Sequence, residues 1–212
     1  KLEAHIRGKL GELVPVEGAG LQQLAANGKD LSVQEIAASV GEGGRIDGAW
    51  LKRVTHTLAA LKDLRWRYTE GTTGKGRSRI GMLNSTGCTS VWASTYPFNP
   101  YPFPWSNHLF QDSTSLAMGV FEGHMVKMAQ GFRAVRQAEL ELADAYDPAQ
   151  HEQFFRYFSW KDFTDDEFLL CPPVVALGGD GSMYDIGFQN LSRMMISGKP
   201  IFALGLSAAM MR

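Results

Sequence analysis

Val174-Val175-Ala176-Leu177-Gly178-Gly179-Asp180-Gly181-Ser182 is the stretch on which the reading of this chain turns. The apolar run is short and rich in β-branched residues. Cys171-Pro172-Pro173 precedes it and glycines follow, a pattern that predicts a buried parallel strand. Downstream, Tyr184, Phe188, Leu191 and Met195 recur at helical spacing, and Gly198 with Pro200 supplies a stop signal. Asp180 is thereby expected at the carboxyl end of a strand. Open α/β sheets bind ligands there, because strand ends and helix N-termini direct backbone N–H groups at anions. Gly179 and Gly181 permit close approach of the backbone to phosphates, and the Asp180 carboxylate is a hard oxygen ligand suited to Mg²⁺ bridging a diphosphate. A tight strand-to-helix turn would use the same Gly-Asp-Gly tripeptide, so the stretch alone leaves both readings open.

The rest of the composition sets outer bounds. At 212 residues, 44% hydrophobic and 20% charged, the chain is globular material with enough length for one sizeable core or two small ones. Its formal net charge of −1 gives no electrostatic reason to expect a nucleic-acid or membrane-surface partner. The apolar runs are too short to span a bilayer, and Lys1-Leu2-Glu3-Ala4-His5 lacks the apolar core of a signal peptide. Two distant cysteines, Cys88 and Cys171, make no disulfide framework, which points to a reducing, cytoplasmic setting. A start at Lys1 rather than Met suggests a piece of a longer polypeptide.

Along the chain, Ser32-Val33-Gln34-Glu35 has the form of a capping box and predicts a short helix from Val33, ended by Gly41-Glu42-Gly43-Gly44. Trp50, Val54, Leu58 and Leu61 mark a second helix, expected to stop before Asp63. Arg65-Trp66-Arg67-Tyr68 reads as a helix end, although a basic-aromatic run of this kind can also stack on bases. Gly71-Thr72-Thr73-Gly74-Lys75-Gly76-Arg77 lacks P-loop spacing and reads as a charged loop. Ile80-Gly81-Met82-Leu83 predicts a strand, and four prolines among aromatics over residues 96–105 predict an irregular loop. Met128, Phe132, Val135 and Leu142 mark one face of a long helix starting after Asp112, with Glu139, Glu141 and Asp144 expected on its solvated side. The acidic segment from Trp160 to Glu167 lacks EF-hand spacing and reads as a solvated loop. No internal repeat is visible.

Three segments together go further. Asn84-Ser85-Thr86-Gly87-Cys88-Thr89-Ser90-Val91-Trp92, then Pro104-Trp105-Ser106-Asn107-His108-Leu109-Phe110-Gln111-Asp112, then Gly179-Asp180-Gly181-Ser182-Met183-Tyr184-Asp185-Ile186-Gly187 resemble, in order and spacing, the thiamine-diphosphate-binding part of pyruvate:ferredoxin (flavodoxin) oxidoreductases. The resemblance covers roughly residues 78–201. It implies an α/β fold with a mostly parallel sheet of the thiamine-diphosphate-binding type, here over residues 70–212 behind a small helical lead-in over residues 1–69. It also implies oxidative decarboxylation of a 2-oxo acid, pyruvate or a similar one, to an acyl-CoA, with single electrons passed to ferredoxin or flavodoxin. The expected partners are the remaining domains or subunits of the oxidoreductase, with CoA and the 2-oxo acid as small-molecule partners, in a homo-oligomer.

Carried onto this chain, the family's diphosphate and Mg²⁺ segment falls on Gly179, Asp180, Gly181 and Ser182, with Asp180 as the metal ligand. The cysteine of the family's Asn-x-Thr-Gly-Cys turn falls on Cys88, where it would ligate a 4Fe-4S iron–sulfur cluster close to the cofactor. Without the resemblance, Cys88 would read as a buried inert thiol, and Cys171 is expected to be structural. No residue matches the glutamate that activates the cofactor, so the catalytic residues stay unassigned. Two departures stand out. The family's Cys-x-x-Cys pair and its fourth cluster cysteine are absent, and one cysteine cannot hold a cubane cluster. After Pro200 the family's second Mg²⁺ segment is missing, and Ile201-Phe202 is followed by Ala203-Leu204-Gly205-Leu206-Ser207-Ala208-Ala209-Met210, which looks more like a later helix of the family. Missing segments near Phe202 and upstream of Arg65 would account for both departures, and so would true deletions. Two rivals share part of the pattern: a non-redox thiamine-diphosphate enzyme, and a degenerate module kept for assembly without catalysis.

Overall fold

A parallel β-ladder with the first turns of one long helix laid against it organises the unit that carries Asp180. The computed structural model describes residues 1–13, 48–85, 98–103, 105–108 and 112–206. The capping box at Ser32, the glycines at 41–44, the Thr86 to Trp92 part of the first family-like segment with Cys88, and residues 207–210 lie outside them. Two compact units divide the chain, residues 1–76 with 130–158 and residues 77–129 with 159–212.

In the first unit, α1 (Leu2–Leu13) and α2 (Gly48–Thr69) meet the later turns of α3 (Ser113–Leu142), followed by α4 (Pro148–Tyr157). Its core is Ile6, Val54, Leu61, Ala134 and Ala138, with Trp50 and Leu58 against it, so the predicted stripe on α2 is the packed one. The helix does not stop before Asp63 as the sequence suggests. It runs on to Thr69 because Arg67 pairs with Asp63 one turn away at 2.5 Å and Arg65 pairs with Glu3 at 3.1 Å. The Arg65 to Tyr68 run is its last turn, as read. Gly71 then ends it at φ 60, its N–H donating to the Trp66 carbonyl at 2.8 Å.

The charged glycine loop closes when the Gly76 N–H donates to the Glu70 carbonyl at 2.7 Å. Gly76 sits at φ +73, and a Cβ there would run into the Tyr68 carbonyl. Gly76→Ala is therefore expected to cost about 2 kcal/mol, read as a lowered urea midpoint at unchanged slope.

The placement of Glu141 on the solvated side of α3 is overturned. It is 4% exposed and accepts from Arg53 Nε at 3.0 Å. The last turns of α3 pack against α2, and Arg53 brings the compensating charge from 88 residues away. The Arg53 guanidinium also lies over the Tyr146 ring, 4.6 Å from its centroid.

In the second unit, β1 (Gly81–Ser85), β2 (Trp105–His108), β3 (Val174–Gly179) and β4 (Phe202–Leu206) form an all-parallel sheet of order β2-β1-β3-β4. This is the α/β class expected. Val174, Ala176 and Leu177 are buried, as a strand covered on both faces requires. The first turns of α3 bury Ala117, Phe121 and Met125. A Cβ on Gly81 would meet Val120 at 3.1 Å and His124 at 3.3 Å, so α3 lies directly on β1 there.

Several local expectations change. Residues 98–103 are irregular as read, with Tyr101 stacked on Phe103, but Trp105 opens β2 instead of belonging to the loop. The Trp160 to Glu167 segment is two capped turns, Trp160–Asp162 and α5 (Asp165–Leu169). Ser159 with Asp162 and Thr164 with Glu167 supply reciprocal capping boxes that a composition reading overlooks. The helix-like reading fails for residues 203–206, because residues 202–206 pair in register with β3 and tertiary pairing overrides their helix propensity; its remainder, 207–210, lies outside the described residues. After β3 comes a π-helical turn, Gly181–Asp185, and then α6 (Phe188–Ile196). Met183, Gly187, Leu191 and Met194 are buried, while Tyr184, Phe188 and Met195 are exposed.

Candidate functional site

The strand order places the site. From β1 the chain passes to β2 on one side, then returns to β3 on the other, so the crevice at the carboxyl ends of β1 and β3 is a topological switch point. Ser85 ends β1 and Gly179 ends β3, followed at once by Asp180. The four sequence-chosen residues Gly179, Asp180, Gly181 and Ser182 therefore sit at this edge. Asp180 is solvent-exposed, and its Oδ1 accepts the Gly181 N–H at 3.0 Å. Ser182 Oγ donates to the Gly179 carbonyl at 3.0 Å, and the Ile186 N–H reaches back five residues to the Gly181 carbonyl at 3.0 Å.

The two glycines play different parts. A Cβ at Gly178 would strike Ser182 Oγ and come within 2.9 Å of Met183, so the π turn folds down onto the strand only there. Gly181 has open space where a Cβ would stand, leaving its backbone accessible.

The first turn of α3 reaches the same edge. The Ser113 N–H donates to Ser85 Oγ at 3.1 Å. Asn84 pairs with Leu177 in the ladder, so Ser85 and Gly178, each one residue further on, present the same face of the sheet. The start of α3 and the Asp180 turn consequently lie over one face. Asn84 points the other way and donates from Nδ2 to Asn107 Oδ1 at 3.0 Å.

Among the described residues, Asn84 Oδ1 and Thr114 Oγ1 are buried at this edge without a hydrogen-bond partner, and so is His124 Nδ1 at the other end of β1 near Gly81. Buried orphans are costly and mark places where a ligand or water completes the bonding. The sequence reading did not assign Thr114, although Asp112-Ser113-Thr114 ahead of an apolar-periodic helix is a recognisable N-terminus.

Cys88 lies outside the described residues. Cys171 lies before the amino end of β3, about 20 Å along the strand from Asp180. It is buried, with Sγ 3.5 Å from the Glu167 carbonyl. Burial pushes its thiol from 9.0 up to about 11, against a smaller opposing effect of Arg77. Since the unfolded thiol ionises first, stability present below pH 9.0 is expected to fall as pH rises through 9.0 toward about 11. Cys171→Ala should flatten that limb of a stability-against-pH curve. Among the described residues no cluster of three or more His, Cys, Asp or Glu side chains is arranged to hold a metal, and no helix is long and apolar enough to cross a membrane.

No protein-family model matches the chain. Curated relatives do. A probable pyruvate-flavodoxin oxidoreductase of Escherichia coli is 25% identical over 186 residues, covering 71% of this chain and 16% of the relative. A putative pyruvate-flavodoxin oxidoreductase of Synechocystis is 24% identical over 154 residues, covering 58% of this chain and 13% of the relative. The pyruvate synthase subunit PorB of Methanocaldococcus jannaschii is 27% identical over 120 residues, covering 57% of this chain and 29% of that subunit. The chain thus spans a small part of the relatives it matches. With a parallel sheet whose switch point carries the Gly-Asp-Gly turn, the chain is similar, at low identity and over part of their length, to pyruvate-flavodoxin and pyruvate:ferredoxin oxidoreductases.

Proposed function

We propose that this chain is the thiamine-diphosphate-binding part of a 2-oxo acid oxidoreductase. The observation that carries the reading is an exposed carboxylate, Asp180, at the carboxyl end of β3 beside a topological switch point. The residues fit the cofactor. Mg²⁺ takes one or two carboxylates and completes its shell with phosphate oxygens and water, so Asp180 without a ligand cluster suits a metal held jointly by protein and diphosphate. The open backbone at Gly181 lets phosphates come close, and the orphaned Thr114 hydroxyl is a ready polar partner. When bound, thiamine diphosphate supplies the electron sink for loss of CO₂. The chain's own share is to hold the diphosphate end through Asp180 and the Gly179 to Ser182 turn.

In the overall reaction, pyruvate and CoA give acetyl-CoA, CO₂, one proton and two electrons, which leave singly for ferredoxin or flavodoxin. The relatives' names carry pyruvate and flavodoxin to this proposal. Cys88 is assigned to a 4Fe-4S cluster completed by cysteines from the rest of the protein or a partner subunit. The test uses the full-length protein with thiamine diphosphate, Mg²⁺, CoA and pyruvate. CoA-dependent reduction of a one-electron dye with matching CO₂ release is expected, and CO₂ release without dye reduction would favour a non-redox decarboxylase. A second reading, a non-catalytic assembly module, draws on the presence of only two cysteines in the chain. Iron and acid-labile sulfide absent from the purified full-length protein would favour it.

A further inference from the structure

We propose that the first turn of α3 forms a second holding point at the site, where the Thr114 hydroxyl bonds an anionic oxygen of the bound ligand. The inference rests on the reading of the crevice given above. Three observations lead to it. Thr114 is 2% exposed and, among the described residues, its Oγ1 has no hydrogen-bond partner. A helix Cα–Cβ bond tilts toward the helix N-terminus, so this side chain is directed back to the edge where β1 ends. That edge is fixed by the bond from the Ser113 N–H to Ser85 Oγ at 3.1 Å, and it lies over the same face of the sheet as the Asp180 turn.

The chemistry selects the ligand atom. The N-terminus of a 30-residue helix carries a partial positive charge, and a hydroxyl in its first turn donates most strongly to a negatively charged oxygen. Two groups of the proposed reaction carry such oxygens, the diphosphate of the cofactor and the carboxylate of the 2-oxo acid. Both present the same chemistry to Thr114.

A buried hydroxyl without a partner is a cost to the unliganded fold, so removing it should not weaken that fold. In the full-length protein, Thr114→Val is therefore expected to leave the ligand-free melting temperature unchanged or raised. It should weaken anion binding about tenfold or more, and Thr114→Ser should restore it to within about twofold. Calorimetry with thiamine diphosphate and Mg²⁺ reads the diphosphate arm, and the KM for pyruvate at saturating cofactor reads the carboxylate arm. A fall confined to the first assigns the diphosphate oxygen, and a fall confined to the second assigns the carboxylate. Unchanged binding in both arms overturns the inference alone, as does a lowered ligand-free melting temperature, which would make the hydroxyl structural. Should the valine variant misfold, Thr114→Ala applies the same test. Wild-type protein that binds no thiamine diphosphate overturns the reading of the site, and the Thr114 role with it.

Discussion

Asp180→Ala in the full-length protein is expected to abolish Mg²⁺-dependent binding of thiamine diphosphate, with at least a hundredfold loss of affinity. Asp180 is the only carboxylate within the Gly179 to Ser182 turn, and it stands where the chain leaves the buried strand. A diphosphate seated against backbone N–H groups keeps uncompensated charge unless its cation is anchored to the protein. The exposed side chain accepts its neighbour's N–H at 3.0 Å, so its loss should leave the fold nearly intact. Calorimetry with and without Mg²⁺ checks the effect, and circular dichroism checks the fold. Asp180→Asn separates charge from shape: it keeps the acceptor for the Gly181 N–H but should bind the cation poorly. Wild-type affinity in either variant would remove Asp180 from the site.

The second large effect lies in the first unit and concerns stability alone. Arg53→Met is expected to lower the unfolding free energy by about 3 kcal/mol, because it leaves the buried Glu141 carboxylate without its guanidinium. The contact of the guanidinium with the Tyr146 ring is lost as well. Changing both partners, Arg53→Met with Glu141→Met, should recover most of the loss, since two apolar side chains in place of a buried ion pair are often neutral. Urea unfolding of the two single variants and the double variant gives the coupling directly. Simple additivity would mean that the pair does not act as a unit.

The strand at 174–179 and the position of Asp180 were legible because a buried parallel strand and its glycine exit are local patterns. The stripe on α2 was legible for the same reason, as periodicity is local too. What escaped depends on contacts outside the local pattern. Glu141 looks solvated until Arg53 arrives from another helix. Of the residues picked by helical spacing after Asp180 only Leu191 is buried, because two neighbouring stripes, 184-188-191-195 and 183-187-191-194, both keep helical spacing and only packing on the strand chooses between them. Phe202 to Leu206 was read from its own residues, whereas its conformation is set by the partner strand. Thr114 could not be singled out because being an orphan is a property of the surroundings.

The last strand bears on how the protein behaves in the test tube. Phe202, Ala203 and Leu204 are exposed at the end of the strand order, and Phe188, Met195 and Ile196 of the preceding helix are exposed as well. None of the five residues of that strand carries a charge, so it lacks the lysines or prolines that usually keep sheet edges from adhering to one another. Handled as an isolated polypeptide at high concentration, the segment has a template for sheet-to-sheet adhesion built into its surface. Solubility trials would begin with a lysine at 203 or 204.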